Sequence, residues 1–384
     1  MTGLRREPPV PPEVLAAVRA PFAAFGAVFG GEWAEAPVLQ PLPVLLDLAG
    51  EAMRARLFVV AGAAGEELAL RPDFTIALAR AHIASGVAAA RLLYGGDAFR
   101  AAPAGSGRPS EFVQLGVETF GAQGNGAVLD GEVAALAWTA ACAGGRDDLT
   151  LHLGDVGLFA AFTQAVGLPD GARQRLLSAF AAGRPMLREI ARLAEPADAS
   201  SGGRLPRMLS DLPEAEAAAV LEELWKLAGI QPVGGRGAGE IVHRLAERAQ
   251  AARAPRLSPA EADLLTRYMH VSAPAAQALD QVQRLAHEAH GAIDPVLEGW
   301  RRRLDAMAAH GAPAAEATLA AAFVRPFGYY DGALFEVRSA ALPADAPVAA
   351  GGRSDGLLAR LGGVAAPSVG CMVRPGRAWS GGAA

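Results

Sequence analysis

Gln114 and Glu118 stand four residues apart in the run EFVQLGVETFG at 111–121, where apolar and polar residues alternate as they do on a β-strand. Strand side chains point to opposite faces in turn, so Val113, Leu115 and Val117 share one side and Gln114, Gly116 and Glu118 the other. The apolar side belongs under helices. On the polar side an amide and a carboxylate, about 13 Å apart with glycine between them, make a floor where the ammonium group of a small ligand finds acceptors. Taken alone, the same pattern also fits the solvated face of an ordinary strand.

Three further stretches carry groups of similar use. Pro72 biases its neighbours toward an extended backbone, which sets Arg71, Asp73 and Thr75 on one side; Asp73 can accept from an ammonium, and Asp73 or Thr75 can cap the helix that follows. Tyr329 and Tyr330 lie between Gly328 and Gly332, so a phenol can reach a ligand ring, or the pair can be half-buried packing. Gly351 and Gly352 precede a predicted helix whose first amides can hold a carboxylate, with Ser354 as ligand contact or cap. No metal site is expected, because His287 and His290 are the only close pair among seven histidines and lack a nearby carboxylate triad. Cys142 and Cys371 are too far apart in sequence for a zinc or disulfide motif.

These groups need elements to hold them. After a loose proline-rich tail at 1–12, the pattern predicts a helix from Glu13 to Phe29 and strands at Leu57–Val60 and Leu68–Arg71 in an antiparallel hairpin across AGAAGEE. TIALARAHIAS at 75–85 reads as a helix ended by Gly86, and strands at Arg91–Tyr94 and Glu111–Phe120 follow, joined by a long loop through AAPAGSGRPS. From 161 to 310 the spacing is helical, broken at ASSGG (199–203) and GGRGAG (234–239), with a capping box at Ser258–Glu261. Strand character returns at Ala320–Val324 and Ala333–Val337. The fold class expected is α+β: an antiparallel sheet flanked by helices, built from residues 1–160 and 311–384, with an all-helical insertion at 161–310 between them.

With 52% apolar and 20% charged residues over 384 positions, the chain falls outside the disordered class. A net charge of -5 gives no broad basic footprint, so a nucleic-acid partner is not expected. MTGLRREPPVPPE lacks the apolar stretch of a signal peptide, and no run of uncharged apolar residues is long enough to span a bilayer; a cytoplasmic location and no membrane contact are expected.

In order and content LRPDFTIALAR (70–80), GRPSEFVQLGVETFG (107–121), FGYYDGALFEV (327–337) and GGRSDGLLARLGG (351–363) resemble the class II histidyl-tRNA synthetase core, over most of 35–160 and 315–375. The resemblance implies a histidine site made of Asp73, Thr75, Arg100, Gln114, Glu118, Arg325, Tyr329 and Tyr330, with Asp73 in the place of that family's glutamate and Ser354 in the place of a tyrosine. The departures fall on the adenylation groups. Phe99-Arg100-Ala101-Ala102 stands where that family has Phe-Arg-x-Glu, and Gly376 stands before Arg377 where an acid is expected, with Pro375 expected to disrupt the backbone. Seven residues follow Arg377, so an anticodon-binding domain is expected to be absent.

The pattern is similar to the regulatory subunit family of ATP phosphoribosyltransferase. That implies no catalytic residues and no cofactor in this chain, self-dimerisation, and a hetero-oligomer with equal numbers of a short-form catalytic subunit, up to a hetero-octamer. The partner would transfer a phosphoribosyl group from phosphoribosyl pyrophosphate to ATP in the first step of histidine biosynthesis, and L-histidine would be the feedback effector, with no tRNA charging. Two other readings stay open: an enzyme that forms histidyl-adenylate without tRNA ligation, which Arg100, Arg108 and Arg377 would serve, and a binding module or structural dimer with a vestigial pocket.

Overall fold

The computed structural model describes residues 5–103, 105–122, 124–195, 212, 214–228, 256–325 and 328–382. Two sheets form from them. β1 (Glu32–Trp33) leads to β2 (Leu39–Pro41), β3 (Val59–Ala61) and β4 (Glu67–Leu70), and the last three make a small antiparallel sheet in the order β2-β4-β3. β5 (Ala90–Phe99), β6 (Glu111–Phe120), β7 (Leu149–Asp155), β8 (Ser272–Pro274), β9 (Thr318–Ala320), β10 (Ala333–Ser339), β11 (Ala349–Arg353) and β12 (Ser368–Val373) join β1 in a nine-stranded sheet, β1-β5-β6-β12-β11-β10-β7-β9-β8. The strands from β5 to β7 in this order are antiparallel, and only the β1–β5 and β7–β9 pairs are parallel. The two ends of the chain meet where β6 pairs β12, which places Glu118 opposite Gly370.

The sheet separates two cores. On one face Leu93, Leu115, Val117 and Val369 pack under helix α1 (Pro12–Phe29), through Val18, Phe22 and Phe25, and under other helices described below. Each buried Phe or Leu of this kind contributes about 1.5–3 kcal/mol. On the other face Tyr94 and Phe120 lie under α2 (Leu42–Ala49) and α3 (Thr75–Ser85), with Leu45, Phe74 and Leu78 between them. α3 stops at Gly86, whose φ of 68° is the left-handed conformation that glycine adopts without strain. α1 has the length and mean hydropathy of a membrane span, 18 residues at 1.3, but it contains Glu13 and Arg19 and lays Val18, Phe22 and Phe25 on the sheet.

α4 (Gly126–Cys142) crosses the first face with five alanines and Gly131 buried, so its backbone lies close to its neighbours. α5 (Val156–Ala165), α6 (Asp170–Ala181), α7 (Met186–Ala194), α8 (Glu214–Ala228), α9 (Pro259–Met269), α10 (Ala275–Glu288) and α11 (Asp294–Ala309) follow, and short α12 (Leu357–Arg360) and α13 (Pro375–Ala378) flank β12. The core of α5 to α7 and α9 to α11 is continuous with that of the sheet: Phe159, Phe162 and Tyr268 belong to the same cluster as Leu115 and Val117. The Ser258 capping box forms as its spacing predicts, with Glu261 N to Ser258 Oγ at 3.2 Å and Ser258 N to Glu261 Oε2 at 2.6 Å.

Several local expectations are corrected. The stretch 161–310 is not all helix, because Ser272–Pro274 adds an edge strand to the large sheet, where a proline without an N–H is tolerated. The strand expected at Ala320–Val324 lies earlier, at Thr318–Ala320, and β5 runs to Phe99 rather than ending at Tyr94. Residues 5–11 are not a loose tail: Arg6 bridges Glu111, Ser110 N donates to Arg5 O at 2.7 Å, and Glu7 pairs with buried Arg374 at 2.5 Å. The breaks expected at 199–203 and 234–239 lie outside the described residues.

Candidate functional site

Gln114 and Glu118 are 0% and 4% exposed, so their strand face is not solvated but covered, and what covers it is polar. Glu118 can extend there because the opposite residue is Gly370, where a Cβ would lie 2.0 Å from Glu118 Oε2. Thr75, the first residue of α3, donates its hydroxyl to Glu118 Oε1 at 2.5 Å. Asp73 precedes that helix and serves it, taking hydrogen bonds from the backbone of Thr75 and Ile76, while Oδ1 has no partner. Neither atom of the Gln114 amide has one. A buried polar group left unpaired costs about 1–3 kcal/mol, so three such atoms around one space are the signature of a place built for something else.

Arg100 follows β5 and is anchored by Nε to Pro72 O at 2.9 Å. Arg325 follows β9 and donates to Glu336 Oε1 at 3.1 Å; Glu336, on β10, also accepts from Arg338 at 2.9 Å. Tyr329 and Tyr330 stand with ring centroids 4.6 Å apart, and the Arg325 guanidinium lies 6.0 Å from the Tyr330 ring. All eight residues of the expected histidine site thus border one cleft, joined by Tyr94, Ser354 and Cys371. The cleft is narrow: its volume is about 20 Å³, room for a water but not for an amino acid.

Burial sets the charge states. It pushes the Asp73 carboxyl up, opposed chiefly by Arg100, and pushes Glu118 up to about 8, opposed by the Thr75 hydrogen bond. Arg100 is brought down to about 10 by burial, with Asp73 acting against it, and burial raises the Tyr330 phenol to about 12. A site of this kind, with two carboxyls, two guanidiniums, an amide and two phenols, fits a small molecule carrying an ammonium, a carboxylate and a polar ring.

Other expectations fail on geometry. The space over Gly116 is not open to a ligand: Tyr94 of the neighbouring strand fills it, its hydroxyl 2.3 Å from where a Cβ would be and donating to Cys371 O at 3.1 Å. Arg71 turns away from Asp73 and Thr75, lies over the Phe74 ring at 4.0 Å and donates to Asp97 O and Ala36 O. Gly351 and Gly352 belong to β11, and the amides of Asp355 and Gly356 hold a carboxylate of this chain, that of Asp331, at 2.9 and 2.6 Å. Pro375 starts α13 rather than disrupting the backbone. Arg108 and Arg377 do not reach the cleft and line a separate cavity. Sequence reasoning missed Tyr94 and Glu336 as site-forming residues; strand register brings both in, Tyr94 opposite Gly116 and Glu336 opposite His152.

The histidyl-tRNA synthetase family model matches residues 12–236 and 218–376 of the chain. The ATP phosphoribosyltransferase regulatory subunit of Brucella anthropi is 34% identical over 336 residues, 86% of this chain and 88% of that protein. The one from Brucella ovis is 36% identical over 349 residues, 89% and 91% of the two chains. Among solved structures, an ATP phosphoribosyltransferase regulatory subunit/histidyl-tRNA synthetase from Bacillus halodurans superposes with a TM-score of 0.63 at 21% identity, covering 98% of this chain and 82% of its own. Histidyl-tRNA synthetase from Nostoc gives 0.59 at 16% identity, with 95% and 69% covered. The solved structures establish the fold, and the curated relatives, similar over most of both lengths, establish that the chain belongs to the ATP phosphoribosyltransferase regulatory subunit family, built on the histidyl-tRNA synthetase fold.

Proposed function

We propose that this chain acts in histidine biosynthesis as the non-catalytic subunit of an ATP phosphoribosyltransferase, in the cytoplasm and in equal number with a short-form catalytic subunit, and that it carries the feedback site for L-histidine. The observation that carries the effector reading is the trio of unpaired buried atoms, Asp73 Oδ1 and the two amide atoms of Gln114, beside Glu118 and Arg100. Asp73 and Gln114 accept from the ammonium of histidine, Arg100 meets its carboxylate, and Glu118 and Tyr330 face the imidazole. Because the narrow cleft has no room for an amino acid, binding displaces the Tyr329–Tyr330 segment of its wall. That segment is tied through Asp331 to the amides of Asp355 and Gly356, and Arg353 pairs with both Asp355 and Asp130, which also pairs with Arg303 of α11. Opening the cleft therefore strains a buried ion network that reaches the helical block, a differential contact of the kind by which an effector shifts a quaternary equilibrium.

The same reading holds that the chain activates no amino acid. Ala102 and Gly376 stand where acids are expected in the synthetase motifs, and Arg374 lies 3.6 Å from the Phe112 ring, bonded to Glu7. The test is reconstitution. Mixing the purified chain with a short-form catalytic subunit yields a larger complex with raised turnover that histidine suppresses, and the chain alone shows no histidine-dependent exchange of pyrophosphate into ATP. Exchange by the isolated chain establishes the adenylate-forming alternative instead.

A further inference from the structure

The strand face that carries Gln114 and Glu118 also carries Phe112, two residues earlier on β6 and buried. Two guanidiniums lie against its ring: Arg374, with Cζ 3.6 Å from the ring centroid, and Arg100 of the cleft, at 5.4 Å. At both distances the negative face of an aromatic ring attracts a cation. One ring does not offset the mutual repulsion of two buried charges, so each cation needs an anion of its own. Arg100 has Asp73, whose charge favours its own. Arg374, 3% exposed, has Glu7 at 2.5 Å, the one carboxylate within ion-pair distance of it among the described residues.

The segment that carries Glu7 reaches Arg100 by two routes. Along the main chain, Ser110 N donates to Arg5 O at 2.7 Å and Ser110 O accepts from Arg100 N at 2.8 Å, while Glu7 N donates to Glu111 O at 2.8 Å. Through side chains the route runs from Glu7 to Arg374, the Phe112 ring and Arg100. Burial pushes the Arg374 guanidinium down, and Glu7 opposes it. After burial, and after Asp73 acting the other way, the charge of Arg374 is the next influence on Arg100. Without the Glu7 carboxylate, Arg374 is a buried cation with no partner of its own. It must then leave the ring for water or compete for the anion that Arg100 uses, and either move disturbs the seat of Arg100.

We propose, resting on the histidine reading of the cleft, that Glu7 is a positioning residue: by neutralising Arg374 it fixes Arg100 where the ligand carboxylate is received. The N-terminal segment thereby sets the preference of the cleft for a ligand that has a carboxylate. Calorimetry on the full chain with L-histidine, and separately with histamine, tests it, because histamine carries the same ammonium and imidazole without the carboxylate. Glu7→Gln keeps the shape and removes the charge; it is expected to weaken histidine roughly five- to tenfold and histamine less than about twofold. Glu7→Asp keeps the charge but shortens the reach, is expected to weaken histidine about two- to threefold, and supplies the same comparison if Glu7→Gln folds poorly. The double variant Glu7→Gln/Arg374→Met removes the unpaired cation as well and is expected to recover histidine affinity to within about twofold of wild type. Selective loss of histidine with that recovery supports the proposal. Equal weakening of both ligands, histidine affinity unchanged in both Glu7 variants, or no recovery in the double variant overturns it while leaving the histidine reading in place. If the wild-type chain binds no histidine, or Gln114→Leu leaves its binding unchanged, the histidine reading falls and this positioning role falls with it.

Discussion

Gln114 has no exposed surface and no hydrogen-bond partner for either amide atom, which makes it the clearest residue-scale probe of the pocket. Removing an unsatisfied buried amide is near neutral or stabilising, whereas removing a ligand contact is not. Gln114→Leu is therefore expected to keep or raise Tm while weakening histidine roughly tenfold or more by calorimetry. Glu118 gives the pH signature. Its folded pKa of about 8 lies above the ordinary carboxyl range, so its contribution to stability is full below that range and is lost as pH rises through about 8. Tm of the free chain should fall from about pH 5 to about pH 8.5, with Asp73 acting in the same direction, and Glu118→Gln should flatten the slope. Histidine bound to the ionised form releases a proton, so its affinity rises between about pH 7 and about pH 8, where the free imidazole is already neutral. Calorimetry in buffers of different ionisation heat reads that release directly. The eight pocket residues were legible because the family-like segments mark them all, and strand alternation marks Gln114 and Glu118 besides. Glu336 was not, since its use depends on Arg325 crossing from another segment.

At the scale of elements, local signals read well where one feature decides the outcome. Gly86 ends α3, Ser258 and Glu261 start α9, and the hairpin β3–β4 forms, each from a few adjacent residues. Glycine runs misled for the opposite reason. Gly351 looks like a loop residue, but it is required in a strand, because a Cβ there would lie 2.3 Å from Gly370 O. The three-residue strand β8 leaves no alternation to read. The element-scale prediction concerns Asp130 on α4, 4% exposed, which pairs with Arg353 of β11 and Arg303 of α11. Asp130→Ala leaves two largely buried guanidiniums without that partner and should cost about 3–5 kcal/mol in urea unfolding. A loss below about 1 kcal/mol would show that the network does not join pocket, sheet and helical block.

For the whole molecule, a sheet assembled from both ends of the chain followed from where strand character stops and resumes, and the structure pairs β6 with β12 accordingly. The order of nine strands did not follow, because it is set by pairings far apart in sequence that no local pattern encodes. The continuity of the helical block's core with the sheet's was also hidden, since it is made by Phe159 and Phe162 of α5 meeting Tyr268 of α9, about a hundred residues on. At this scale effector and partner are linked: whatever factor histidine imposes on partner or substrate binding is imposed in return on histidine. The measurement that tests the central claim most directly is histidine inhibition of turnover in the complex of this chain with a short-form catalytic subunit, compared between wild type and Gln114→Leu. The account predicts a half-inhibiting concentration raised roughly tenfold or more by the substitution. An unchanged half-inhibiting concentration in a complex that still assembles would contradict it.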